Sequence, residues 1–245
     1  MADNVKLISK ILNRNDEDYN KRINQVFKLR YKDMILEYNP DAPKEGIDCD
    51  DYDKYCDHLV VIDEEIDDVV GTYRLIKKEH VKNLNDKFLL EDEFNIDTLK
   101  EKSLLELGRA CVAEGYRSGG VIMMLWKGAF QYALNNNIAY MLGTASFHGI
   151  DVEPHRKQLA YLTKNYLSDA DAYAVNNVYD ILNDKIEFDN DEEFNNLPPL
   201  IKGYLRIGSK IGKNAFIDTD FCSVDVLIIT DIENLNPRYK QRFSK

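Results

Sequence analysis

The chain has 245 residues, and 44% of them are hydrophobic, which is enough for one large α/β domain with a sizeable core. Its 43 acidic side chains outnumber 32 basic ones, and the net charge of -11 disfavours binding of nucleic acid or an anionic membrane across the whole surface. An anionic partner would therefore have to meet a local basic patch.

The start of the chain, MADN, has no basic region ahead of an apolar core, and no stretch approaches the length that spans a bilayer. We therefore expect a cytoplasmic protein, with peripheral contact at the inner face of the membrane as an open alternative. The four cysteines are too few and too scattered for a disulfide framework, so we expect reduced thiols, with Cys111 in the core.

The first predicted element is a helix over residues 16–37, where apolar side chains recur at helical spacing. It should end at Asn39-Pro40. Two apolar runs follow, residues 58–62 and 69–76, and the acidic segment between them predicts a β-hairpin.

A β-α-β unit is predicted next. Residues 104–112 and 139–145 are the strands, and residues 121–135 are the helix that connects them. Such a unit implies parallel strands and a right-handed crossover. A second helix is predicted over residues 153–167.

The last third of the chain contains an acidic stretch, residues 184–193, which we interpret as a solvated loop. Residues 224–229 form a late strand that could join the sheet. Because no repeat or flexible linker is visible, we predict a single domain over residues 1–245, with a core of about residues 16–170 and a C-terminal extension of about residues 171–245.

The turn between the predicted strand at residues 104–112 and the predicted helix at residues 121–135 is a candidate anion site. Free backbone N–H groups and the positive end of the helix dipole converge there, and glycine lets the backbone approach a ligand closely. Alone, a Gly-Gly turn is more often a plain connector. The residues of the turn are Arg117, Ser118, Gly119 and Gly120.

Several motifs in a fixed order resemble the ornithine-acyl-carrier-protein N-acyltransferase family, whose members are sometimes labelled hemolysin-like. They are FKLRY at residues 27–31, DDYD at 50–53, CDH at 56–58, VGTYRL at 70–75, LELGRACV at 105–112, YRSGG at 116–120, GTASFHG at 143–149 and PPLIKGYLR at 198–206. A run of motifs is far more specific than any one of them. The chain departs from the family at Ala113-Glu114-Gly115, where the family often has His-Pro.

The resemblance implies the GNAT N-acetyltransferase fold: an α/β protein with a mixed central sheet flanked by helices, here with a C-terminal extension. It implies transfer of a 3-hydroxy fatty acyl group from acyl carrier protein to the α-amine of ornithine, giving lyso-ornithine lipid. The donor would be the acyl-phosphopantetheine of the carrier, with no permanently bound cofactor. Acylation of glycine or another amine, and a non-catalytic module that binds acyl chains or carrier, remain alternatives.

The family is similar to acyl-homoserine-lactone synthases, whose charged motifs surround the amine substrate. These motifs map onto Asp50, Asp53, Arg74, Glu106 and Arg109. The resemblance and charge complementarity together predict that the two aspartates hold a cationic side chain. Either Arg74 or a further arginine, Arg30, would then pair with the substrate carboxylate.

Glu106 is the predicted catalytic base, because an amine must lose a proton before it attacks a thioester. Regular alternation would place Glu106 and Arg109 on opposite faces of the strand, and a bulge near Gly108 could bring both into one cleft. Without the resemblance, a weak pair of edge charges would be the commoner interpretation. The YRSGG turn would hold the pantetheine phosphate.

A helix over residues 201–213 would align four basic side chains, Lys202, Arg206, Lys210 and Lys213. Such a stripe could dock the acidic carrier protein or contact a bilayer surface. The ordinary explanation is a solvated face. The histidines carry no metal-ligand spacing, so no metal site is predicted.

Overall fold

The computed structural model describes residues 6–37, 39, 41–183 and 186–243. The strands are β1 (Leu7–Ile11), β2 (Asp57–Asp63), β3 (Asp68–Lys77), β4 (Phe94–Asn95), β5 (Leu104–Val112), β6 (Tyr140–His148), β7 (Tyr173–Ala174), β8 (Val178–Tyr179), β9 (Lys210–Ile211), β10 (Ala215–Asp218) and β11 (Ser223–Asp231). The helices are α1 (Tyr19–Arg30), α2 (Lys78–Val81), α3 (Gly120–Asn135), α4 (Arg156–Tyr166), α5 (Asn190–Asn196), α6 (Pro199–Ile207) and α7 (Pro237–Phe243).

Residue contacts divide the chain into two compact units. The first contains Met1–Asp86 and Leu107–Asn136, and the second contains Lys87–Glu106 and Asn137–Lys245. The single domain expected from the sequence, with its boundary at about residue 170, stays a prediction.

In the first unit, the strands lie in the order β1, β2, β3, β5, and the β2-β3 hairpin confirms the prediction from the two apolar runs. Val60 and Ile62 of β2 pack in the cluster that contains α1, whereas Leu59 contacts Gly128 of α3. Because alternate strand residues face opposite sides, α1 and α3 cover opposite faces of these strands. The predicted first helix is confirmed, and a π-helical turn, Tyr31–Leu36, continues it.

Strand β3 approaches α3 closely at Gly71. A Cβ atom there would lie 2.4 Å from Cγ1 of Val121, so only glycine fits without a shift. Three aromatic side chains of α3, Trp126, Phe130 and Tyr132, are buried. This packing fixes the start of α3 against the sheet.

In the second unit, β5 pairs in parallel with β6, β6 pairs antiparallel with β11, and β11 pairs with both β9 and β10. The β-α-β order and its parallel pair confirm the prediction, as does the incorporation of the late strand. The mixed sheet flanked by helices is confirmed. The helix predicted over residues 153–167 is confirmed as a short 3-10 turn, Glu153–His155, followed by α4.

Some sequence predictions were wrong or lie outside the described residues. The acidic loop at 184–193 includes the first turn of α5, whose N-cap Asp189 accepts hydrogen bonds from the backbone N–H groups of Asp191 and Glu192. Residues 184, 185 and Pro40 lie outside the described ranges. All four cysteines are free, and Cys111 is buried, as expected.

Candidate active site

Three arginines and three aspartates form an ion network in the first unit. Its centre is Asp53, whose Oδ1 accepts hydrogen bonds from Nη1 of Arg30 at 2.7 Å and Nη1 of Arg74 at 3.4 Å. Oδ2 of Asp53 accepts the backbone N–H of Asp50 at 2.8 Å, which ties the network to the 3-10 turn Asp51–Lys54. The arginine charges hold the pKa of Asp53 below its ordinary value despite the opposing effect of burial.

The rest of the network pairs the remaining charges. Nη1 of Arg74 lies 2.7 Å from both carboxylate oxygens of Asp50, and Nε of Arg30 donates to Asp48 at 2.7 Å. Arg109 donates to Asp48 at 3.1 Å and to Asp50 at 3.5 Å. The side chain of Arg30 is fully buried and that of Arg74 is 1% exposed, whereas Asp50 and Arg109 are 30% and 20% exposed.

The structure therefore joins the predicted amine-binding residues of the first unit to one another. Whether they also contact substrate stays a prediction. Asp50 and Arg109 are the most exposed of these residues.

Strand β5 departs from regular geometry next to Gly108. Arg109 has a φ of 52°, in the left-handed region that non-glycine residues rarely adopt. Such strain persists only where the surrounding structure holds it, and the bonds from Arg109 to Asp48 and Asp50 do so here. The irregularity lies next to Gly108, where a bulge could bring Glu106 and Arg109 into one cleft, and that shared cleft stays a prediction.

A second group in the same unit, Asp53, Cys56 and His58, has metal-ligand chemistry, but its thiol and its carboxylate are poorly suited to a metal. Burial raises the pKa of the Cys56 thiol to about 12 and lowers that of His58 to about 4, and the Asp53 carboxylate is already bound by arginines. A protonated thiol is a poor ligand. His58 is thus a buried neutral side chain.

Glu106 lies on β5 in the second unit and is 4% exposed. Its Oε2 accepts the backbone N–H of Leu89 at 2.9 Å, which fixes the orientation of the carboxylate. Its partner on β6 is Leu142. A buried, oriented carboxylate is the kind of group that can serve as a general base.

Sequence analysis missed a cluster of carboxylates in this unit. Glu93, Asp218 and Asp225 place one oxygen each within 4.8 Å of one another. Burial is the main cause that raises the pKa of Glu93 to about 8, and Asp225, Asp218, Glu106 and Asp92 add to it. Burial also raises the pKa of Asp225. No local signal could reveal the cluster, because its members come from distant parts of the chain.

We expect the stability gain of a Glu93→Gln variant to depend on pH. Glu93 has a folded pKa of about 8 against an ordinary value of 4.5, so between these values the folded protein holds a proton that the unfolded chain releases. Wild-type stability should therefore fall across this window relative to the variant, by roughly 1–3 kcal/mol. Urea denaturation at pH 5 and pH 9 measures the difference. A constant difference would contradict the raised pKa.

The predicted phosphate turn leads into α3 of the first unit. Gly119 caps the helix with a φ of 102°, and a Cβ atom at Gly119 or Gly120 would meet nothing within 4 Å. Arg117 is 45% exposed and is held by Glu37 at 2.9 Å and by the carbonyl oxygen of Val112 at 3.0 Å. The turn is thus open to a ligand, and its role in binding phosphopantetheine stays a prediction.

The first unit also has an open groove of about 470 Å³ beside α3. Lys10, Lys127, Gln131 and Asn135 contribute much of its lining, and the apolar part includes Leu59. Because both polar and apolar side chains line the groove, its lining does not indicate a channel for an acyl chain.

The prediction of a helix over residues 201–213 was wrong for the second half of that range. Helix α6 ends at Ile207, because Gly208 adopts a φ of 102° as its C-cap, and Lys210 already belongs to β9. The four basic residues therefore form no single helical stripe. Arg206 lies over the ring of Phe194, Lys210 lies over that of Tyr166, and Lys213 pairs with Asp171.

No helix in the described part of the chain is long and apolar enough to cross a membrane.

Comparisons with known proteins agree with this architecture. The family model of the acetyltransferase (GNAT) domain matches residues 29–127. The CoA-dependent acyl-homoserine lactone synthase MesI superimposes with a TM-score of 0.54 at 13% identity, covering 97% of this chain and 93% of that one. This likeness shows the fold, and together with the family match it places the protein in the class of GNAT-fold proteins.

Sequence relatives give the family. The L-ornithine N(alpha)-acyltransferase of Brucella abortus is 36% identical over 226 residues, which cover 87% of this chain and 80% of that protein. The enzyme of the same name from Agrobacterium fabrum is 34% identical over 238 residues, which cover 89% and 80%. The chain belongs to the L-ornithine N(alpha)-acyltransferase family.

Proposed function

We propose that the protein transfers a 3-hydroxy fatty acyl group from acyl carrier protein to the α-amine of ornithine, which gives lyso-ornithine lipid. The observation that carries the chemistry is the buried, oriented carboxylate of Glu106 on β5. Membership of the family, whose named relatives act on ornithine, supports this acceptor.

The proposed reaction begins with removal of a proton from the α-ammonium group by Glu106, directly or through a water molecule. The neutral amine then attacks the thioester carbon, and the tetrahedral intermediate collapses with cleavage of the carbon–sulfur bond. The pantetheine thiolate leaves and takes up the proton that the attacking nitrogen must still lose, so the products are an amide and a free thiol. Backbone N–H groups along β5 are candidates for stabilising the oxyanion.

For the donor, we propose that the YRSGG turn, residues 116–120, binds the phosphate of the pantetheine arm. The N-terminus of α3 supplies backbone N–H groups and a positive partial charge. The open space at Gly119 and Gly120 permits close approach.

The test of the function is release of free thiol from 3-hydroxyacyl carrier protein in the presence of ornithine, glycine and other amino acids. Release that requires ornithine, with an N-acylated product of the matching mass, supports the proposal. Release with another amine only would replace the acceptor. Bound carrier without thiol release from any amine would indicate a non-catalytic module.

We also propose that the basic residues near α6 contact the acidic carrier protein. Changing Lys202 and Lys210 together to glutamate should raise the apparent KM for the carrier about 3- to 10-fold, because complementary charges increase the rate of encounter. Steady-state kinetics at low salt measure it. The double variant Lys102→Glu and Lys157→Glu is the matched control, since it changes the net charge of the protein by the same amount. Equal effects of both double variants would contradict a local docking site.

A further inference from the structure

The carboxylate cluster of the second unit faces the same side of the sheet as Glu106. Along the paired strands, Glu106 lies opposite Leu142, Leu142 lies opposite Ile229, and Asp225 follows on that face of β11 at an even interval. Asp225 pairs with Phe216 of β10, so Asp218 shares the face too. The strand register thus brings three acidic side chains to one surface.

Glu93 reaches this surface from the short segment that also orients Glu106. The backbone N–H of Leu89 starts the 3-10 turn Leu89–Asp92 and binds Glu106, and Glu93 follows directly after that turn. The carboxylate of Glu106 is near enough to contribute to the raised pKa of Glu93. The cluster and the proposed base are therefore neighbours within one unit.

Two oxygens of the cluster are buried without a partner. Oδ1 of Asp225 and Oε2 of Glu93 have no hydrogen-bond partner among the described residues. Asp225 is only 4% exposed, and the hydroxyl groups near its carboxylate, those of Ser146 and Ser223, carry no charge. Asp218 uses Oδ1 to accept the backbone N–H groups of Asp220 and Phe221. Buried carboxylate oxygens without donors are costly, so such a site favours a ligand that brings positive charge and N–H groups.

We infer that Glu93, Asp218 and Asp225 bind the side-chain ammonium group of a diamino acid acceptor, while Glu106 receives the proton of its α-amine. An ammonium that donates three hydrogen bonds of about 2.9 Å in tetrahedral directions places its acceptors about 4.7 Å apart. The three oxygens lie within 4.8 Å of one another, so they are close enough for one ammonium group to contact all three. The inference rests on the proposed function and adds the group of side chains that selects ornithine.

This site assigns the recognition of the cationic side chain to residues different from Asp50 and Asp53. Those two aspartates are already neutralised by Arg74 and Arg30 at 2.7 Å, whereas the described residues form no ion pair with the cluster of the second unit. Burial and the neighbouring carboxylates raise the pKa of Glu93, and a bound ammonium group would counter this effect.

The test compares ornithine with norvaline, which has the same carbon chain without the terminal ammonium. Wild type should prefer ornithine at least 100-fold in kcat/KM, because norvaline would leave the buried carboxylates unpaired. In Asp225→Asn, kcat/KM for ornithine should fall about 30-fold or more while the value for norvaline stays within 3-fold. Asp220→Asn is the matched control and should behave as wild type. Asp220 is exposed and follows Asp218 by two residues in the sequence.

A second variant and a binding measurement keep the test decisive. Glu93→Gln should reproduce the loss of preference, and calorimetric titration with ornithine in the absence of donor should show weaker binding to both variants than to Asp220→Asn. Equal losses on ornithine and norvaline, unchanged preference, or activity that needs added Ca²⁺ or Mg²⁺ and vanishes with chelator would overturn the inference.

The same experiments distinguish failure of the proposed acyl transfer from failure of the ammonium site. If no amine releases thiol but ornithine binding still depends on Asp225, the acyl transfer is wrong and the ammonium site stands. If ornithine and norvaline are acylated equally well, the transfer stands and the ammonium site is wrong.

Discussion

Replacing Asp53 with asparagine should lower the free energy of unfolding by about 3 kcal/mol, since two buried arginines lose the hydrogen-bonded carboxylate that they share. Arg30 and Arg74 both donate to Asp53 and are almost completely buried. Nη2 of Arg30 and both Nε and Nη2 of Arg74 already lack hydrogen-bond partners among the described residues. Asp48 and Asp50 remain as the ionic partners of these two arginines in the variant.

Urea denaturation followed by circular dichroism measures the loss. Asp51→Asn is the matched control, because Asp51 lies in the same 3-10 turn but is 79% exposed and pairs only with exposed Lys54. We expect less than about 0.5 kcal/mol there. A loss of similar size in both variants would show that the turn, rather than the buried charge, determines stability.

The effect of Asp53→Asn should also depend on pH. The folded pKa of Asp53 lies below its ordinary value of 3.8, so its stabilising contribution is complete above that value. As the pH falls through the folded pKa, wild type loses this contribution and approaches the variant. Denaturation at pH 7 and pH 3 tests the sign.

Local patterns account for most of the fold that the sequence predicts correctly. The β2-β3 hairpin and the order of β5, α3 and β6 follow from alternation, helical periodicity and turn residues, all of which act over short stretches. Gly208 shows where periodicity fails. Charges at helical spacing continue to Lys213, but a left-handed glycine ends α6, so the local backbone preference overrides the pattern.

Side-chain partners are the part that the sequence cannot specify. Asp50, Asp53 and Arg74 are predicted as substrate ligands from their charge, yet each is bound to other members of its own network, because tertiary packing brings opposite charges together. Glu93 and Asp225 show the converse. Each is one acidic residue among many in the sequence, and only the strand register and the turn before β4 make them neighbours.

The largest expected effect on activity belongs to Glu106→Gln. Loss of a general base usually costs 10²-fold or more, so kcat for thiol release with ornithine should fall by at least about 10²-fold. The amide can still accept the N–H of Leu89, and the fold should therefore persist. Steady-state kinetics measure the loss, and thermal denaturation checks the fold. Glu101→Gln, an exposed glutamate just before β5, is the matched control and should retain wild-type activity.

A pH series separates a base from a merely structural carboxylate. Without a base, the reaction depends on the fraction of ornithine whose α-amine is already neutral in solution, and this fraction rises with pH. The deficit of Glu106→Gln relative to wild type should therefore shrink as the pH rises from about 7 to 9, near the ordinary pKa of α-amino groups. A deficit that stays constant across this range would assign Glu106 to positioning, and activity within 3-fold of wild type would remove it from the mechanism.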